Sequence, residues 1–214
     1  MVFELSKTNT IANHFLAELR DEQVQKDSLR FRRNLERLGE VMAYEVSKTL
    51  TYAPNKVSSV LGEKQVNLLS EQPILITIMR AGLPFYNGFL GMFDRAQSGF
   101  IGAYRVEKEN EVSINNDYFA IGNLEGKEVI IVDPMLATGK SIVTVTKQLL
   151  KNGMPSRIHY VSAIAAPEGI GYLQSNLDLN YKIWVGSIDD RLNENAYIVP
   201  GLGDAGDLSF GKKI

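Results

Sequence analysis

The sequence predicts one α/β domain built around a doubly wound, mostly parallel sheet. From residue 73 onward, short runs of apolar and β-branched residues alternate with segments of helical periodicity. Strands that are apolar on both faces and alternate with helices are typical of a parallel sheet covered on each side. No linker rich in Pro, Gly or Ser and no internal repeat divides the 214 residues, so we expect a single domain.

The segment from about residue 9 to residue 50 is predicted to be helical. It contains a series of apolar residues at spacings of three and four, which places them on one face of a helix. These residues are Phe31, Leu35, Leu38, Met42 and Val46. Asp27 and Ser28 are candidate caps for this helix. A shorter, earlier helix is expected to bury Ile11, Phe15, Leu16 and Leu19.

The remaining elements follow in the order expected of an α/β sheet. Strands are predicted at 74–78, 100–104, 129–132, 158–164 and 183–188, and helices at 142–150 and 168–175. The polar segment 108–117 is expected to be a loop or a projecting hairpin. Residues from about 193 to 210 are expected to form an irregular C-terminal loop.

Composition excludes several classes of function. The chain has 23 Lys+Arg against 25 Asp+Glu, a formal charge of -2, which gives no electrostatic attraction to nucleic acid or to an anionic membrane. It has no cysteine, so it has no disulfide, no thiolate nucleophile and no Cys-type zinc site. No secretory signal and no apolar run of the roughly 20 residues that span a membrane is evident. We therefore expect a cytoplasmic protein whose partners include neither nucleic acid nor a membrane.

The most informative segment runs from residue 133 to residue 141, where a predicted strand passes through a turn of small residues into a helix. The unpaired N–H groups and the dipole of a helix N-terminus bind phosphate, and the hydroxyls of Thr138 and Ser141 could donate further hydrogen bonds. Asp133 follows the strand, where open α/β sheets bind ligands. Taken alone, such a segment is more often a capped helix after a solvated aspartate.

A nucleotide-hydrolase P-loop is the second interpretation of this segment. Gly139, Lys140 and Ser141 match the end of that motif, which also needs a glycine where Pro134 stands. Proline has no N–H and a fixed φ, so it cannot open the phosphate cradle. The P-loop is therefore excluded.

Four apolar residues, an acid and a Thr-Gly-x-Ser loop resemble the signature of the phosphoribosyltransferases. The stretch Asp-Pro-Met-Leu-Ala-Thr-Gly is similar to the variant found in uracil phosphoribosyltransferases, although Lys140 stands where that family usually has a second glycine. The resemblance implies a type I phosphoribosyltransferase fold with N-terminal helices and a C-terminal hood over the base. It also implies that the donor is bound by Asp133, Pro134, Met135, Leu136, Ala137, Thr138, Gly139, Lys140 and Ser141.

Two arginines are candidate ligands of a diphosphate. Arg80 lies in a segment similar to the family's diphosphate loop, and its guanidinium fork suits that anion, while Gly82 lets the backbone approach closely. Arg105 stands where the family has a second such arginine. Without the other motifs, each would be an ordinary surface arginine. Asn87 departs from the family, which has an aspartate there.

Residues 197–207 indicate a particular base. Three glycines and a proline within seven residues build a tight loop that exposes backbone groups, which could still be an inert turn. The stretch is similar, nearly residue for residue, to the uracil-recognition loop of uracil phosphoribosyltransferases. The resemblance implies that the main chain at Ile198, Gly203 and Ala205 pairs with uracil. Cytosine would leave buried polar groups unpaired, at about 1–3 kcal/mol per group. Leu208 stands where the family commonly has a basic residue.

The activity implied by the resemblance is pyrimidine salvage: uracil and 5-phosphoribosyl 1-diphosphate give UMP and diphosphate. Asp133, Arg105 and Asp204 are the expected catalytic residues, with Asp204 between the base and the ribose, where it also contacts the donor. The expected cofactor is Mg²⁺, bound largely through substrate oxygens with no direct protein ligand, except through water to Asp204. A homodimer or larger homo-oligomer and activation by GTP are further implications.

Two other functions use the same fold. A pyrimidine-sensing, RNA-binding regulator would need a basic face, which the charge of -2 does not favour. A catalytically silent paralogue is suggested by the departures at Asn87, Lys140 and Leu208. Formation of UMP from uracil and the donor distinguishes the three interpretations.

Overall fold

A computed structural model describes residues 1–108 and 111–212, with the backbone alone over 103–108 and 111–117. The strands are β1 (Val2–Glu4), β2 (Tyr52–Ser59), β3 (Gly62–Leu69), β4 (Ile74–Met79), β5 (Gln97–Lys108), β6 (Glu111–Ala120), β7 (Glu128–Val132), β8 (Met135–Leu136), β9 (Arg157–Ala165), β10 (Tyr181–Ile188), β11 (Arg191–Leu192) and β12 (Ile198–Val199). The helices are α1 (Ala12–Arg20), α2 (Ser28–Ser47), α3 (Leu83–Met92), α4 (Lys140–Leu149), α5 (Pro167–Asn176) and α6 (Ala205–Phe210).

The central sheet has the strand order β1-β10-β9-β7-β4-β5-β6, and the short β8 also pairs with β9. Within the described residues every pairing of this sheet is parallel except that of β5 with β6. The predicted α/β fold with a mostly parallel sheet is confirmed. Because parallel strands end at the same edge, the loops after β4 and β7 lie side by side.

Helices cover both faces of the sheet. One buried cluster contains residues of α1, α2 and α3 together with Ile130 and Trp184, and the other contains residues of α4 and α5 together with Ile131 and Tyr160. Ile130 and Ile131 enter opposite clusters because successive strand side chains point to opposite faces. This arrangement explains why most residues of the predicted strands are apolar, whichever face of the sheet they point to.

The two predicted N-terminal helices are present, but two of the residues that were expected to be buried in the first are not. Asp27 is the cap of α2, because its carboxylate accepts hydrogen bonds from the backbone N–H groups of Leu29 and Arg30. The expectation that Ile11 is buried is wrong: it precedes α1 and is 62% exposed. Ala12 occupies the inward position instead, and Phe15 is only partly buried.

The sequence did not indicate the β2–β3 hairpin. Its residues are exposed almost throughout, so no alternation of buried and exposed side chains marks either strand. The polar segment 108–117 was expected to be a loop or a hairpin, and the described backbone of β6 pairs antiparallel with β5. Among the described residues, no helix is both long and apolar enough to cross a bilayer.

Glycines allow α2 and α3 to pack with their backbones in contact. A Cβ on Gly39 would lie 2.3 Å from the carbonyl oxygen of Phe85, and a Cβ on Gly88 would lie 2.1 Å from that of Glu36. Both neighbours are backbone atoms within helices, so neither can move away cheaply. The contact fixes α3, and with it the loop that connects β4 to α3.

Glu18 provides a test of stability at low pH. Hydrogen bonds from Arg30 and Asn34 lower the pKa of its carboxyl to about 2. This stabilisation is complete above the pKa that the Glu18 carboxyl has in the unfolded chain. It is lost as the pH falls from that value through the pKa of the folded state. We therefore expect Glu18→Gln to make the free energy of unfolding less dependent on pH below pH ~4.5, as measured by urea denaturation. Glu22→Gln, at an exposed position, is the control and should keep the wild-type slope.

Candidate active site

A cavity of about 530 Å³ opens at the carboxyl edge of the sheet. Its wall includes residues from the loops after β4 and β7 and from the C-terminal segment around the start of α6. The three segments that carried the resemblance in the sequence, far apart along the chain, therefore meet at one place. This edge is where open α/β sheets bind their ligands.

Hydrogen bonds to β9 hold the start of the loop after β7. The backbone N–H of Asp133 donates to the carbonyl of Val161 at 3.1 Å, and the carboxylate accepts from the N–H of Met135 at 3.4 Å. Pro134 is buried, and its carbonyl accepts from the backbone N–H groups of both Ala163 and Ile164. Asp133 lines the cavity and Pro134 does not, so the backbone at position 134 attaches the loop to the sheet while Asp133 faces the cavity.

The loop then enters α4 through a glycine, at a position where any side chain would be strained and crowded. Gly139 has a φ of +75°, and a Cβ there would lie 2.7 Å from the carbonyl oxygen of Gly169. Of the predicted donor-binding residues after Pro134, those that line the cavity are Met135, Leu136, Ala137, Gly139 and Ser141. Lys140 is exposed and Thr138 accepts a hydrogen bond from the Lys140 N–H at 3.4 Å; neither lines the cavity.

Arg80 faces this loop across the cavity and is already paired. Its Nη2 donates to Oδ1 of Asp207 and to the carbonyl of Gly211, both at 2.7 Å. Its Nε is buried and has no partner among the described residues. Position 82, two residues later, is a glycine because a Cβ there would lie 2.2 Å from the hydroxyl of Thr77. The guanidinium therefore joins the end of β4 to the C-terminal segment while still facing the cavity.

The C-terminal segment contributes backbone to the cavity wall. Gly203, Asp204 and Ala205 line the cavity, and Asp204 also caps α6 by accepting a hydrogen bond from the Asp207 N–H at 2.9 Å. Ile198 is buried in β12 and does not line the cavity, where Ala196 and Tyr197 lie instead. The structure thus brings together three of the four residues that were assigned to the base.

Some lining residues were missed, and some predicted residues lie elsewhere. Gly102 on β5 and Tyr118 on β6 line the cavity, and no sequence motif places β6 beside it. The side chain of Arg105 is outside the described residues; its backbone pairs with Ile114 in the β5–β6 hairpin. Of the departures from the family pattern, Asn87 is exposed on α3 and Leu208 packs against the core, and neither lines the cavity.

The charges of the cavity suit an anionic ligand that carries its own cation. Arg80 supplies positive charge, and Asp133 and Asp204 supply negative charge to the lining of the same cavity. Among the described residues, no cluster of three or more His, Cys, Asp or Glu side chains could hold a metal ion. A hard cation such as Mg²⁺ that keeps phosphate oxygens and water as ligands needs only one or two carboxylates nearby, which this site provides.

Comparisons with known proteins show which family the chain belongs to. The family model for uracil phosphoribosyltransferase matches residues 6–212. The uracil phosphoribosyltransferase of Porphyromonas gingivalis is 44% identical over 214 residues, which are 100% of this chain and 99% of that protein. The corresponding protein of Pyrococcus furiosus is 37% identical over 202 residues, 93% of this chain and 85% of that protein.

Solved structures show the same fold. The AQ2163 protein from Aquifex aeolicus superposes with a TM-score of 0.87 at 34% identity, with 100% of each chain covered. A hypoxanthine phosphoribosyltransferase from Staphylococcus aureus has a TM-score of 0.52 at 12% identity, covering 75% of this chain and 76% of that one, which shows the fold alone. On its sequence, its fold and the segments that meet in its cavity, this chain belongs to the uracil phosphoribosyltransferase family.

Proposed function

We propose that the protein transfers the phosphoribosyl group of 5-phosphoribosyl 1-diphosphate to uracil and releases UMP and diphosphate, a step of pyrimidine salvage. The observation that carries this proposal is the meeting of the Asp133 loop, Arg80 and the segment from Gly203 to Ala205 around one cavity. Production of UMP from uracil and the donor tests it, with cytosine and hypoxanthine as control bases. A protein that forms no UMP from uracil would contradict it.

The donor would lie along the edge of the sheet. Its 5-phosphate would bind at the N-terminus of α4, its ribose hydroxyls at Asp133, and its diphosphate at Arg80, with Arg105 as the second arginine. Loss of diphosphate leaves positive charge on the ribose, so these groups act by positioning the donor and by stabilising charges as they separate. The carboxylate of Asp133 would stabilise the ribose, while the arginines would stabilise the leaving group.

The base would be held by main-chain groups. Uracil presents an acceptor, a donor and an acceptor along one edge. The backbone at Gly203 and Ala205, which line the cavity, would complement it together with the backbone of Ile198, which directly follows the lining residue Tyr197. Asp204 would lie between the base and the ribose. The proposed cofactor is Mg²⁺, which supplies charge neutralisation on the diphosphate when bound. It would be held largely by oxygens of the donor, and Asp204, which lines the cavity, would bind it through water.

Arg80→Ala should raise the KM for the donor by about tenfold or more, because it removes charge-assisted hydrogen bonds to the diphosphate. Steady-state kinetics at saturating uracil measure this change. Arg32→Ala is the matched control: Arg32 also donates to α6, at the carbonyl of Ser209, but does not line the cavity. An unchanged KM in Arg80→Ala would remove Arg80 from the donor site, and an equal rise in Arg32→Ala would assign the effect to the anchoring of α6.

The family match favours the enzyme over the RNA-binding regulator and the silent paralogue. The silent paralogue was suggested by three departures from the family pattern, all outside the cavity wall: Asn87, Lys140 and Leu208. Homo-oligomeric assembly, activation by GTP and a cytoplasmic location are further parts of the proposal. Sedimentation of the purified protein tests the first, assays with and without GTP test the second, and cell fractionation tests the third.

A further inference from the structure

We propose that Arg20 and Asp189 are positioning residues for the base-binding segment, residues 197–207. They would set the affinity for uracil without touching the base. The inference rests on the proposed function. Asp189 directly follows β10, and Arg20 is the last residue of α1. The two residues are far apart in the sequence and lie outside the cavity wall. Neither residue was assigned a role by the sequence motifs.

The two side chains form a bidentate ion pair beneath the C-terminal segment. Nη1 of Arg20 donates to Oδ2 of Asp189 at 2.7 Å, and Nη2 donates to Oδ1 at 2.5 Å. The Asp189 side chain is only 2% exposed. A planar guanidinium that matches both carboxylate oxygens fixes direction as well as distance.

The same pair holds both backbone groups of one residue in the segment. The N–H of Gly201 donates to Oδ2 of Asp189 at 2.8 Å, and its carbonyl accepts from Nη1 of Arg20 at 3.0 Å. These hydrogen bonds hold the two ends of the segment from Asp189 to Gly201 together. The position of Gly201 is set by side chains that belong to α1 and to the end of β10.

Gly201 in turn determines where the base-binding backbone lies. It has a φ of +65°, and a Cβ there would lie 2.1 Å from the carbonyl oxygen of Ile198. Leu202 is buried in the core cluster next to it, and Gly203 lines the cavity. A shift of Gly201 would therefore move the backbone of Ile198 on one side and that of Gly203 on the other.

An equivalent ion pair elsewhere in α1 supplies the control. Arg30 donates through Nε and Nη2 to the two carboxylate oxygens of Glu18 at 2.6 and 2.7 Å. This pair joins α1 to α2 with the same bidentate geometry but does not line the cavity. Arg30→Gln therefore measures the effect of losing such a pair on the stability of the fold alone.

The test compares the KM of each substrate in Arg20→Gln, Arg20→Lys, Asp189→Asn and Arg30→Gln. In Arg20→Gln we expect the KM for uracil to rise by about tenfold or more, as expected when hydrogen bonds to a charged group are lost, while the KM for the donor changes by less than about twofold. Arg20→Lys keeps the positive charge but lacks the planar guanidinium, so its KM for uracil should lie between those of the wild type and Arg20→Gln. Arg30→Gln should leave both values unchanged.

An unchanged KM for uracil in Arg20→Gln, or an equal rise in Arg30→Gln, would overturn the inference, as would equal rises for both substrates. If Arg20→Gln does not fold, Asp189→Asn, which keeps size and the acceptor for Gly201, provides the same comparison. Hydrogen exchange of the amides of 198–203 is a readout that needs no substrate. Faster exchange in the variant supports the inference even if the wild-type protein makes no UMP, and unchanged exchange contradicts it.

Discussion

Asp133→Asn is expected to lower kcat by a factor of about 100 or more while the protein remains folded, the scale of losing one group that stabilises charge in the transition state. Asparagine has the same shape and can still accept the hydrogen bond from the Met135 N–H, but it lacks the charge that would stabilise the ribose. The measurement is turnover at saturating uracil and donor, together with thermal unfolding.

Asp21→Asn is the matched control for this variant. The Asp21 carboxylate also accepts a hydrogen bond from the backbone N–H two residues later, that of Gln23 at 2.8 Å, but it lies outside the cavity. Its kcat should equal that of the wild type. Wild-type turnover in Asp133→Asn at saturating donor would show that the carboxylate has no role at the ribose.

Gly88→Ala is expected to lower the free energy of unfolding by about 3 kcal/mol, because the added methyl group overlaps the backbone of α2. For a protein of this size the melting temperature should fall by roughly 6–12 °C. Scanning calorimetry measures the change.

Gly91→Ala is the control within the same helix, since a Cβ there meets nothing within 4 Å. Replacing a helical glycine that has free space usually stabilises a protein, by about 0.5–1 kcal/mol. The two substitutions should therefore have opposite signs. A small effect in Gly88→Ala would mean that α2 and α3 can separate at little cost.

Local chemistry explains which parts of the structure the sequence predicts. The spacing of Phe31, Leu35 and Leu38 predicts α2, since one face of a helix must be apolar to pack on a sheet. The loop after β7 is likewise predicted from a local pattern, in which a strand is followed by Asp133, by Gly139 and then by a helix. Each signal lies within a few neighbouring residues.

The features that the sequence does not reveal depend on distant partners. The pairing of Arg80 with Asp207 joins residues 127 positions apart, and no local pattern marks it. The sequence predicts that Pro134 belongs to a ligand-binding loop, yet its carbonyl accepts hydrogen bonds from the backbone of β9. The exposed β2–β3 hairpin lacks a buried face, so hydrophobic periodicity cannot detect it.

The bond between Arg80 and Asp207 changes how an anion would bind in this cavity. The guanidinium already has a carboxylate and a carbonyl as partners before any ligand arrives. An incoming phosphate group would therefore exchange with an internal counter-ion instead of neutralising a bare cation. The net free energy of binding at this position is the gain from the new ion pair minus the loss of the old one, so it is smaller than the gain from the new pair alone.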